Sequence, residues 1–431
     1  MASIPFGPSQ GRPVASGRWL NLLAAAAGAA LAIYAVVSIT SRGLFEYWGA
    51  DFAAFRAAAE VARDDGYANV YDLEKLGPPE RRLVQSYAAE GVQAGFEVIP
   101  VPYLPVFILP FGILLLPGPT IGWVLWTALN AAILLLYSRR LAQAFGAERR
   151  ISALVLLVAL PTFLTLAFGQ VNVWLAIGFG EFLIALQRRK ELAAGAWLGL
   201  LLLKPQILVW LALGLAFGRR WRVLAGLAMA AAVVLGASLL LAGVGGLAAL
   251  VSLWLGYAGN LPTTFPESMM NWRGLAANLE PLLGHTLTVT LLIVGTTITA
   301  AAGVWLWIRT RPGRDPQPAA AGSYAASSTV AWHSHVHMAL PLVTLVGNGS
   351  AWNRDRERWL TWLGILPSIV FAFVGLFVDA GAAHRLVGSW MFVVNLAVTF
   401  SCVRSLLRRA EGEPTGGRPA EATALPNESM P

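Results

Sequence analysis

Cysteine and charge are scarce in this chain, and each scarcity excludes a class of protein. One cysteine, Cys402, occurs in 431 residues, so neither an intramolecular disulfide nor a cysteine-based metal site can form. Charged residues make up 13% of the chain, about half of their share in soluble domains, which argues against a soluble globular protein. No glycine-rich phosphate-binding loop, internal repeat or separate soluble domain is evident.

Apolar residues are abundant instead. Hydrophobic residues account for 57% of the chain, the mean hydropathy is +0.62, and 17 residues are tryptophan. Apolar runs of about 20 residues, the length that crosses a bilayer, recur along the chain. The first run, Trp19 to Thr40, is too long for the apolar core of a secretory signal and lacks a small-residue cleavage site, which indicates an uncleaved span. We therefore predict an all-α integral membrane protein.

The distribution of charge predicts about twelve transmembrane helices with the N-terminus inside, because loops rich in Lys and Arg stay in the cytoplasm. Ten of the 23 acidic residues lie between Glu46 and Glu97, on the outer side. The net charge of +8 is thus explained by basic residues in the cytoplasmic loops, and no nucleic-acid partner is predicted. The predicted spans lie near residues 19–40, 119–138, 151–168, 171–187, 192–204, 205–218, 222–243, 286–309, 318–332, 337–350, 359–378 and 385–405. The cytoplasmic segments then carry Arg12 and Arg18, Arg139 to Arg150, Arg188 to Lys190, Arg219 to Arg222, Arg309 to Arg314, Arg354 to Arg358, and Arg404 to Arg418.

This topology divides the chain into a cytoplasmic N-terminus, a single polytopic membrane domain and a disordered cytoplasmic tail, at residues 1–18, 19–409 and 410–431. The domain has two large extracytoplasmic loops, 41–118 and 243–285. The first loop is predicted to contain interfacial helices. One starts at Asp51, where aromatic residues recur at helical spacing, and the apolar stretch that Pro102 opens is short enough for a re-entrant or interfacial helix.

Lys204 is the only charged residue between Leu192 and Phe217. A lysine in such a run costs roughly 2.5 to 3.5 kcal/mol on insertion scales, so it usually faces a cavity or an anion. Both flanks are basic and cytoplasmic, which predicts two short helices that break at Lys204-Pro205 near the outer side. Lys204 there could bind a lipid phosphate, or it could snorkel and satisfy loop carbonyls.

Several short motifs, in a consistent order from about residue 45 to 340, resemble the GT-C superfamily of membrane glycosyltransferases. The closest resemblance is to family 87, the polyprenyl-phosphate-mannose-dependent mannosyltransferases. Family members often have Ser-Pro before the histidines and Asp after them, whereas here Trp332 precedes the histidines and Met338-Ala339 follows them. The motifs are Asp51-Phe-x-x-Phe, Gly66-x-x-x-x-Tyr71-Asp72, Tyr103-x-Pro105, Phe168-Gly169-Gln170-Val171-Asn172, Lys204-Pro205 and His333-Ser334-His335-Val336-His337.

The resemblance implies a GT-C fold and an inverting hexosyltransferase of the inner (plasma) membrane. Its donor would be a polyprenyl-phosphate sugar, with mannose favoured, and its acceptor a hydroxyl of a glycolipid or glycan on the extracytoplasmic face. No cofactor and no metal are expected. Asp51 is the candidate general base, because it follows the first span and the membrane face can raise its pKa. The alternative is a helix N-cap, a position that Asp favours.

The resemblance also assigns residues to the donor phosphate. Lys204 is the leading candidate, and Arg273 could hold the phosphate bidentately or merely anchor a loop. Among the three histidines, His337 and then His335 are favoured for hydrogen bonds to phosphate or sugar. His333, His335 and His337 would share one side of an extended segment, as zinc ligands could, but no nearby Asp, Glu or Cys completes the set.

Gln170, Asn172 and Tyr103 are assigned to the sugar or the acceptor. The amides of Gln170 and Asn172 could bind sugar hydroxyls or cap the turn between two spans. Glu181, within the fourth predicted span, could be functional or a structural carboxyl bonded between helices.

Two other classes of function remain open at this point. A multi-pass secondary transporter of a small solute would show inverted repeats and ionisable groups near the midplane of the bilayer. Here the acidic residues crowd an external loop instead. A non-catalytic lipid-binding or scaffolding membrane protein is the other alternative, and an assay in liposomes would separate these classes from an enzyme.

Overall fold

A computed structural model describes residues 16–45, 48–85, 98–147, 151–258, 265–310, 314–349 and 356–411. Within these ranges all regular structure is helical, which confirms the predicted all-α class. The predicted cytoplasmic N-terminus and disordered tail lie almost wholly outside the described residues.

The α-helices are long and apolar in six regions and short elsewhere. They are α1 Ser16–Arg42, α2 Ala50–Asp64, α3 Leu73–Gln85, α4 Leu109–Ile113, α5 Pro119–Ala144, α6 Ala153–Val158, α7 Leu160–Phe168, α8 Asn172–Gln187, α9 Glu191–Leu198, α10 Pro205–Phe217, α11 Trp221–Ala258, α12 Trp272–Leu283, α13 His285–Arg309, α14 Gln317–Val330, α15 Leu340–Asn348, α16 Arg356–Leu360, α17 Leu366–Phe377 and α18 Ala380–Glu411.

Six helical segments of the described chain are long and apolar enough to cross a bilayer, which confirms a membrane protein. Four shorter apolar helices accompany them, at residues 172–187, 191–203, 205–217 and 336–348. Each predicted span coincides with one of the helices or with two consecutive short ones, but twelve crossings remain a prediction. The six long segments are residues 18–42, 119–144, 221–256, 285–309, 356–377 and 380–408.

The second predicted loop differs from the structure at its start. Helix α11 was expected to end near residue 243, but it continues to Ala258 through a kink at Gly243. The backbone angles there, φ 65° and ψ −178°, belong to a region that is essentially restricted to glycine. Beyond the kink, α11 packs on the short 3₁₀ turn Tyr67–Asn69 of the first loop. The two predicted loops are therefore joined by contacts.

Helix α2 is embedded in the protein rather than lying bare at the membrane surface. Phe52 and Phe55 on this helix are buried and pack around Phe111, whose ring centroid lies 6.2 Å from that of Phe52 and 4.6 Å from that of Phe55. Arg56 donates to the main-chain carbonyls of Leu114 and Leu115. The apolar stretch after Pro102 contains only the 3₁₀ turn Pro105–Phe107 and the five-residue α4, so it forms no single re-entrant helix.

Glu181 has a structural partner. Its carboxylate accepts two parallel hydrogen bonds from Arg140, with N–O distances of 2.6 and 2.7 Å. The glutamate is buried and lies on α8, nine residues along from Asn172. A bidentate Arg–carboxylate pair of this kind ties α5 to α8, which favours the structural interpretation of Glu181.

Candidate active site

One cavity of about 770 Å³ gathers most of the predicted site residues. It lies where α1 ends and where α2, α8, α10 and α18 begin, under the segment 99–103 of the first loop. The predicted residues that line it are Asp51, Tyr103, Gln170, Lys204, His333, His335 and His337. Residues that are separated by almost 290 positions in sequence therefore share one chamber.

The turn between α7 and α8 fixes one wall of this cavity against α2. Gly169 has a left-handed φ of 75°, and a Cβ atom there would lie 2.5 Å from the Cβ atom of Phe52. The main chain is tied at two further points: Gly49 donates to the carbonyl of Ala167 at 2.8 Å, and Trp126 donates to the carbonyl of Gly169 at 2.8 Å. This close approach brings Gln170 beside the first turn of α2.

Asp51 lies in that first turn, and the structure excludes the N-cap role that was the alternative. The N-cap of α2 is Gly49, and Asp51 is the second helical residue. Its side chain forms a hydrogen bond with Gln170. Burial raises the pKa of the Asp51 carboxyl above its usual value, while the hydrogen bond from Gln170 and the charge of Lys204 act in the opposite direction. A carboxylate of raised pKa in a cavity is suited to accept a proton.

Lys204 lies at the helix break that its flanks predicted, between the 3₁₀ turn Gly199–Leu203 and Pro205 at the start of α10. Its side chain is 7% exposed. The ammonium lies 4.9 Å from the centre of the Tyr103 ring, a favourable cation–π distance. Because Asp51 and Lys204 also interact electrostatically, a proton acceptor and a cation face the same space.

Tyr103 links these two charged groups. Its hydroxyl donates to the amide oxygen of Gln170 at 3.2 Å, which leaves the amide NH₂ of Gln170 as the donor to Asp51. The main-chain carbonyl of Tyr103 accepts from the hydroxyl of Tyr71 at 2.7 Å, and Phe55 packs edge-on against the ring at 5.0 Å. The order Asp51, Gln170, Tyr103, Lys204 is therefore a continuous chain of contacts.

The histidine segment is held by donors from two other elements. The carbonyl of Ala331 accepts from Asn271 at 2.8 Å and that of Trp332 from Arg273 at 3.2 Å. The carbonyl of His333 accepts from Gln206 at 3.2 Å, and that of Ser334 from the main-chain N–H of Met270 at 2.8 Å. These bonds fix the backbone of a segment that is otherwise irregular.

The three histidine rings contact one another in sequence along the cavity, His333 edge-on to His335 and His337 tilted against His335. The centroids of His333 and His335 are 4.6 Å apart, and those of His335 and His337 are 5.8 Å apart. Burial, reinforced by the charges of His384 and Lys204, lowers the pKa of His335 to about 3. A neutral imidazole can donate one hydrogen bond to a phosphate or a sugar, but it supplies no positive charge. Among the described residues, no group of three or more His, Cys, Asp or Glu is arranged to hold a metal ion.

Two predicted residues do not line the cavity. Arg273 lies in the first turn of α12 and donates to the main-chain carbonyl of Trp332. It therefore holds the backbone that leads into the histidine segment. Asn172 is fully buried at the start of α8, and its amide donates to the hydroxyl of Thr165 at 3.3 Å. That contact ties α8 to α7.

Further polar and aromatic residues line the cavity and were not singled out from the sequence. Arg42 and Arg385 lie at the ends of predicted spans, where a sequence pattern indicates only interfacial anchors. Glu80 belongs to the polar helix α3, and nothing in its neighbourhood distinguishes it from exposed glutamates. These residues are Arg42, Phe45, Glu80, Gln206, Trp254, Phe265, Glu267, Ser268, His384 and Arg385.

Replacement of Gly169 by alanine tests the close approach of the α7–α8 turn. We expect Gly169→Ala to lower the free energy of unfolding by more than Gly146→Ala does. Both glycines have positive φ, so both variants carry the backbone cost of about 1 to 2 kcal/mol. A Cβ at Gly146 meets nothing within 4 Å, whereas one at Gly169 meets Phe52. Thermal unfolding in detergent measures the difference, and equal losses in the two variants would contradict the packing described here.

The buried Glu80 carboxyl predicts a pH dependence of stability. Burial, with a smaller contribution from the charge of Asp51, raises the pKa of Glu80 from 4.5 to about 8, and a hydrogen bond from Ile99 opposes the shift. Between these two pH values the folded protein retains a proton that the unfolded chain has lost. The stabilisation present below pH 4.5 is therefore lost as the pH rises through 8.

We expect the unfolding temperature of the wild-type protein to fall more steeply between pH 5 and 8.5 than that of Glu80→Gln. The control is Glu74→Gln, which alters an exposed glutamate of the same helix and should follow the wild-type curve. Parallel curves for all three proteins would show that Glu80 does not titrate in this range.

A comparison with protein families identifies the family of the chain. The model of glycosyltransferase family 87 matches residues 102–334, more than half of the chain, and the matched range contains Tyr103, Gln170, Lys204 and His333. This match to a helical membrane protein indicates a membrane glycosyltransferase. The chain belongs to glycosyltransferase family 87. No curated protein and no solved structure matches it.

Proposed function

We propose that this glycosyltransferase moves a hexose, mannose by preference, from a polyprenyl-phosphate donor to an acceptor hydroxyl on the extracytoplasmic face, with inversion at the anomeric carbon. One observation carries the proposal: Asp51 and Lys204 line the same cavity. A transfer from a sugar phosphate needs a base for the acceptor hydroxyl and a cation for the departing phosphate.

The directions of the helices that meet at the cavity indicate which side of the membrane the cavity faces. Helices α8, α10 and α18 each begin at the cavity, beside Gln170, Lys204 and Ala380. Their opposite ends run into basic clusters, which are typical of the cytoplasmic side. These clusters are Arg188 to Lys190, Arg219 to Arg222, and Arg404 to Arg409. This arrangement supports an extracytoplasmic cavity, and we propose that the protein resides in the inner (plasma) membrane.

The reaction is a single displacement. Asp51 removes the proton from the acceptor hydroxyl as its oxygen attacks the anomeric carbon of the donor. The bond between that carbon and the phosphate oxygen breaks, and its electron pair leaves with the polyprenyl phosphate. Attack from the face opposite to the leaving group inverts the configuration. Lys204 stabilises the negative charge that develops on the phosphate, and we assign to His335 and His337, which line the same cavity, the hydrogen bonds that a neutral imidazole can donate to it.

One side of the cavity is apolar, and the polyprenyl chain of the donor could lie against it. Several apolar residues of the lining come from the ends of membrane helices: Leu164 and Phe168 from α7, Leu203 from the turn before Lys204, and Ala380 from α18. A polyprenyl chain is apolar and remains in the bilayer, so the phosphate and sugar alone enter the polar part of the cavity. Lys204, at the outer end of a short helix, then lies near the depth at which a lipid phosphate resides.

Reconstitution in liposomes tests the proposal. We expect transfer of labelled mannose from polyprenyl-phosphate mannose to glycolipid acceptors extracted from the source membranes. Release of labelled mannose from the donor without its transfer to a lipid or glycan would contradict the assignment of the acceptor. Solute counterflow without any transfer would support the transporter alternative instead.

A further inference from the structure

The wall of the cavity that faces away from the membrane helices contains a carboxyl group and an indole that the reaction above does not use. Glu80 lies on α3 and Trp254 on the part of α11 beyond the kink at Gly243, so both fall within the two predicted extracytoplasmic loops. We propose that Glu80 and Trp254 form the subsite that binds the acceptor sugar, a hexose glycoside with free hydroxyls. This inference deepens the function proposed above and rests on it.

Glu80 is fixed in place and still has hydrogen-bonding capacity. The residue is 1% exposed, and its two carboxyl oxygens share the main-chain N–H of Ile99 at 3.1 and 3.2 Å. A carboxyl oxygen can accept more than one hydrogen bond, and a protonated carboxyl group also donates one, so a single donor shared between both oxygens leaves Glu80 with hydrogen-bonding capacity in the cavity that it lines. The hydroxyl groups of a sugar both donate and accept hydrogen bonds, so they can pair with the carboxyl group in either role.

Trp254 contributes the face of its aromatic ring to the cavity, because its only polar group is bonded elsewhere. Its indole N–H donates to the main-chain carbonyl of Pro102 at 2.9 Å, so the nitrogen is engaged and the ring is held at a fixed angle. The kink at Gly243 carries the outer part of α11 over the first loop, where a Cβ atom at Gly246 would lie 3.0 Å from the Cα atom of Ala68. An aromatic face beside hydrogen-bonding groups is the usual composition of a site for a small polar ligand, and the C–H face of a hexose packs on such a ring.

The segment 99–103 places this pair next to the reacting groups. Glu80 binds the main chain at Ile99, Trp254 binds it at Pro102, and Tyr103 contacts Lys204 and Gln170. Three residues of extended chain span at most about 10 Å. A hexose held between Glu80 and Trp254 therefore has its hydroxyls adjacent to Tyr103 and the groups around it. The donor, whose lipid remains with the membrane helices, occupies the other side.

Binding of methyl α-mannoside to the full chain in nanodiscs tests the subsite without any donor. Saturation-transfer NMR gives the dissociation constant of this probe. We expect Glu80→Gln and Trp254→Leu each to weaken binding at least five-fold, while Trp254→Phe, which keeps a ring, weakens it less than three-fold. The controls are Glu74→Gln on α3 and Trp221→Leu on α11, both of exposed residues, and they should bind as the wild type does.

The pattern distinguishes a subsite from a structural role. If Trp254 served only to hold Pro102, the Phe and Leu variants would lose binding equally, because neither has the indole N–H. That result, or unchanged binding in Glu80→Gln, would overturn the proposal. Because the probe needs no turnover, a wild-type protein that binds it through Glu80 and Trp254 but transfers no mannose would refute the proposed reaction and leave the subsite standing.

Discussion

Replacement of Asp51 by asparagine is expected to lower kcat for sugar transfer by about 10³-fold, within the range that general bases supply. Asparagine preserves the size of the side chain and its hydrogen bond with Gln170, but it cannot accept a proton from the acceptor hydroxyl. Burial raises the pKa of Asp51 above 3.8, and the base must be ionised. The wild-type rate should therefore rise with pH through an acid limb at higher pH than an ordinary aspartate would give. Initial rates with saturating donor measure both effects.

The matched control is Asp64→Asn at the end of the same helix. Asp64 is exposed and pairs with the neighbouring Arg63 at 2.6 Å, so its replacement should leave kcat within two-fold of the wild type. Folding is checked by the unfolding temperature, which should be similar in both variants. Turnover by Asp51→Asn at more than a tenth of the wild-type rate would remove Asp51 from the role of base.

Replacement of Lys204 by methionine is expected to lower kcat/KM for the donor by at least about 10²-fold, the effect of removing one stabilising group from a developing anion. Methionine has a similar length and fills the same space, so the loss reports on the charge. The KM for the donor should rise as well, because the ammonium contacts the phosphate before and after transfer. Steady-state rates at varied donor concentration separate the two parameters.

Lys190→Met provides the control for that variant. Lys190 is exposed at the N-cap of α9, at the opposite end of the same pair of short helices, and its loss should leave the donor KM unchanged. An unaltered donor KM and kcat in Lys204→Met would show that the ammonium satisfies loop carbonyls and takes no part in phosphate binding.

The fold could be predicted from local patterns wherever hydrophobicity and charge agreed. The span expected at 171–187 is α8, and the break expected at Lys204-Pro205 is present, because proline cannot continue a helix and both flanks carry arginine. The end of α11 was predicted wrongly. Gly243 resembles a helix end in sequence, but the helix resumes because its outer part gains contacts with the first loop. Such contacts are tertiary and leave no mark in the local sequence.

Some residues of the candidate site could be predicted from the sequence, and others could not. The sequence singles out Lys204 by its isolation and Asp51 by its motif and its position after the first span, and the structure brings both to one cavity. Glu80 could not be recognised, because it differs from Glu74 on the same helix only in burial, which depends on the segment at Ile99. The sequence analysis singled out the motif around Arg273, and in the structure the side chains of Arg273 and Asn271 donate to main-chain carbonyls of the histidine segment. A motif alone does not distinguish support of a site from membership in it.

The most direct test of the central claim is the accessibility of positions 51 and 204 from the outer side of the membrane. Cys402 is buried and is the only cysteine, so Cys402→Ala provides a background for the single variants Asp51→Cys and Lys204→Cys. We predict that a membrane-impermeant maleimide labels both variants from outside, not from inside, and that polyprenyl phosphate slows the labelling of both. Labelling of the two positions from opposite sides, or protection of neither by polyprenyl phosphate, would contradict a shared chamber for one lipid-linked sugar.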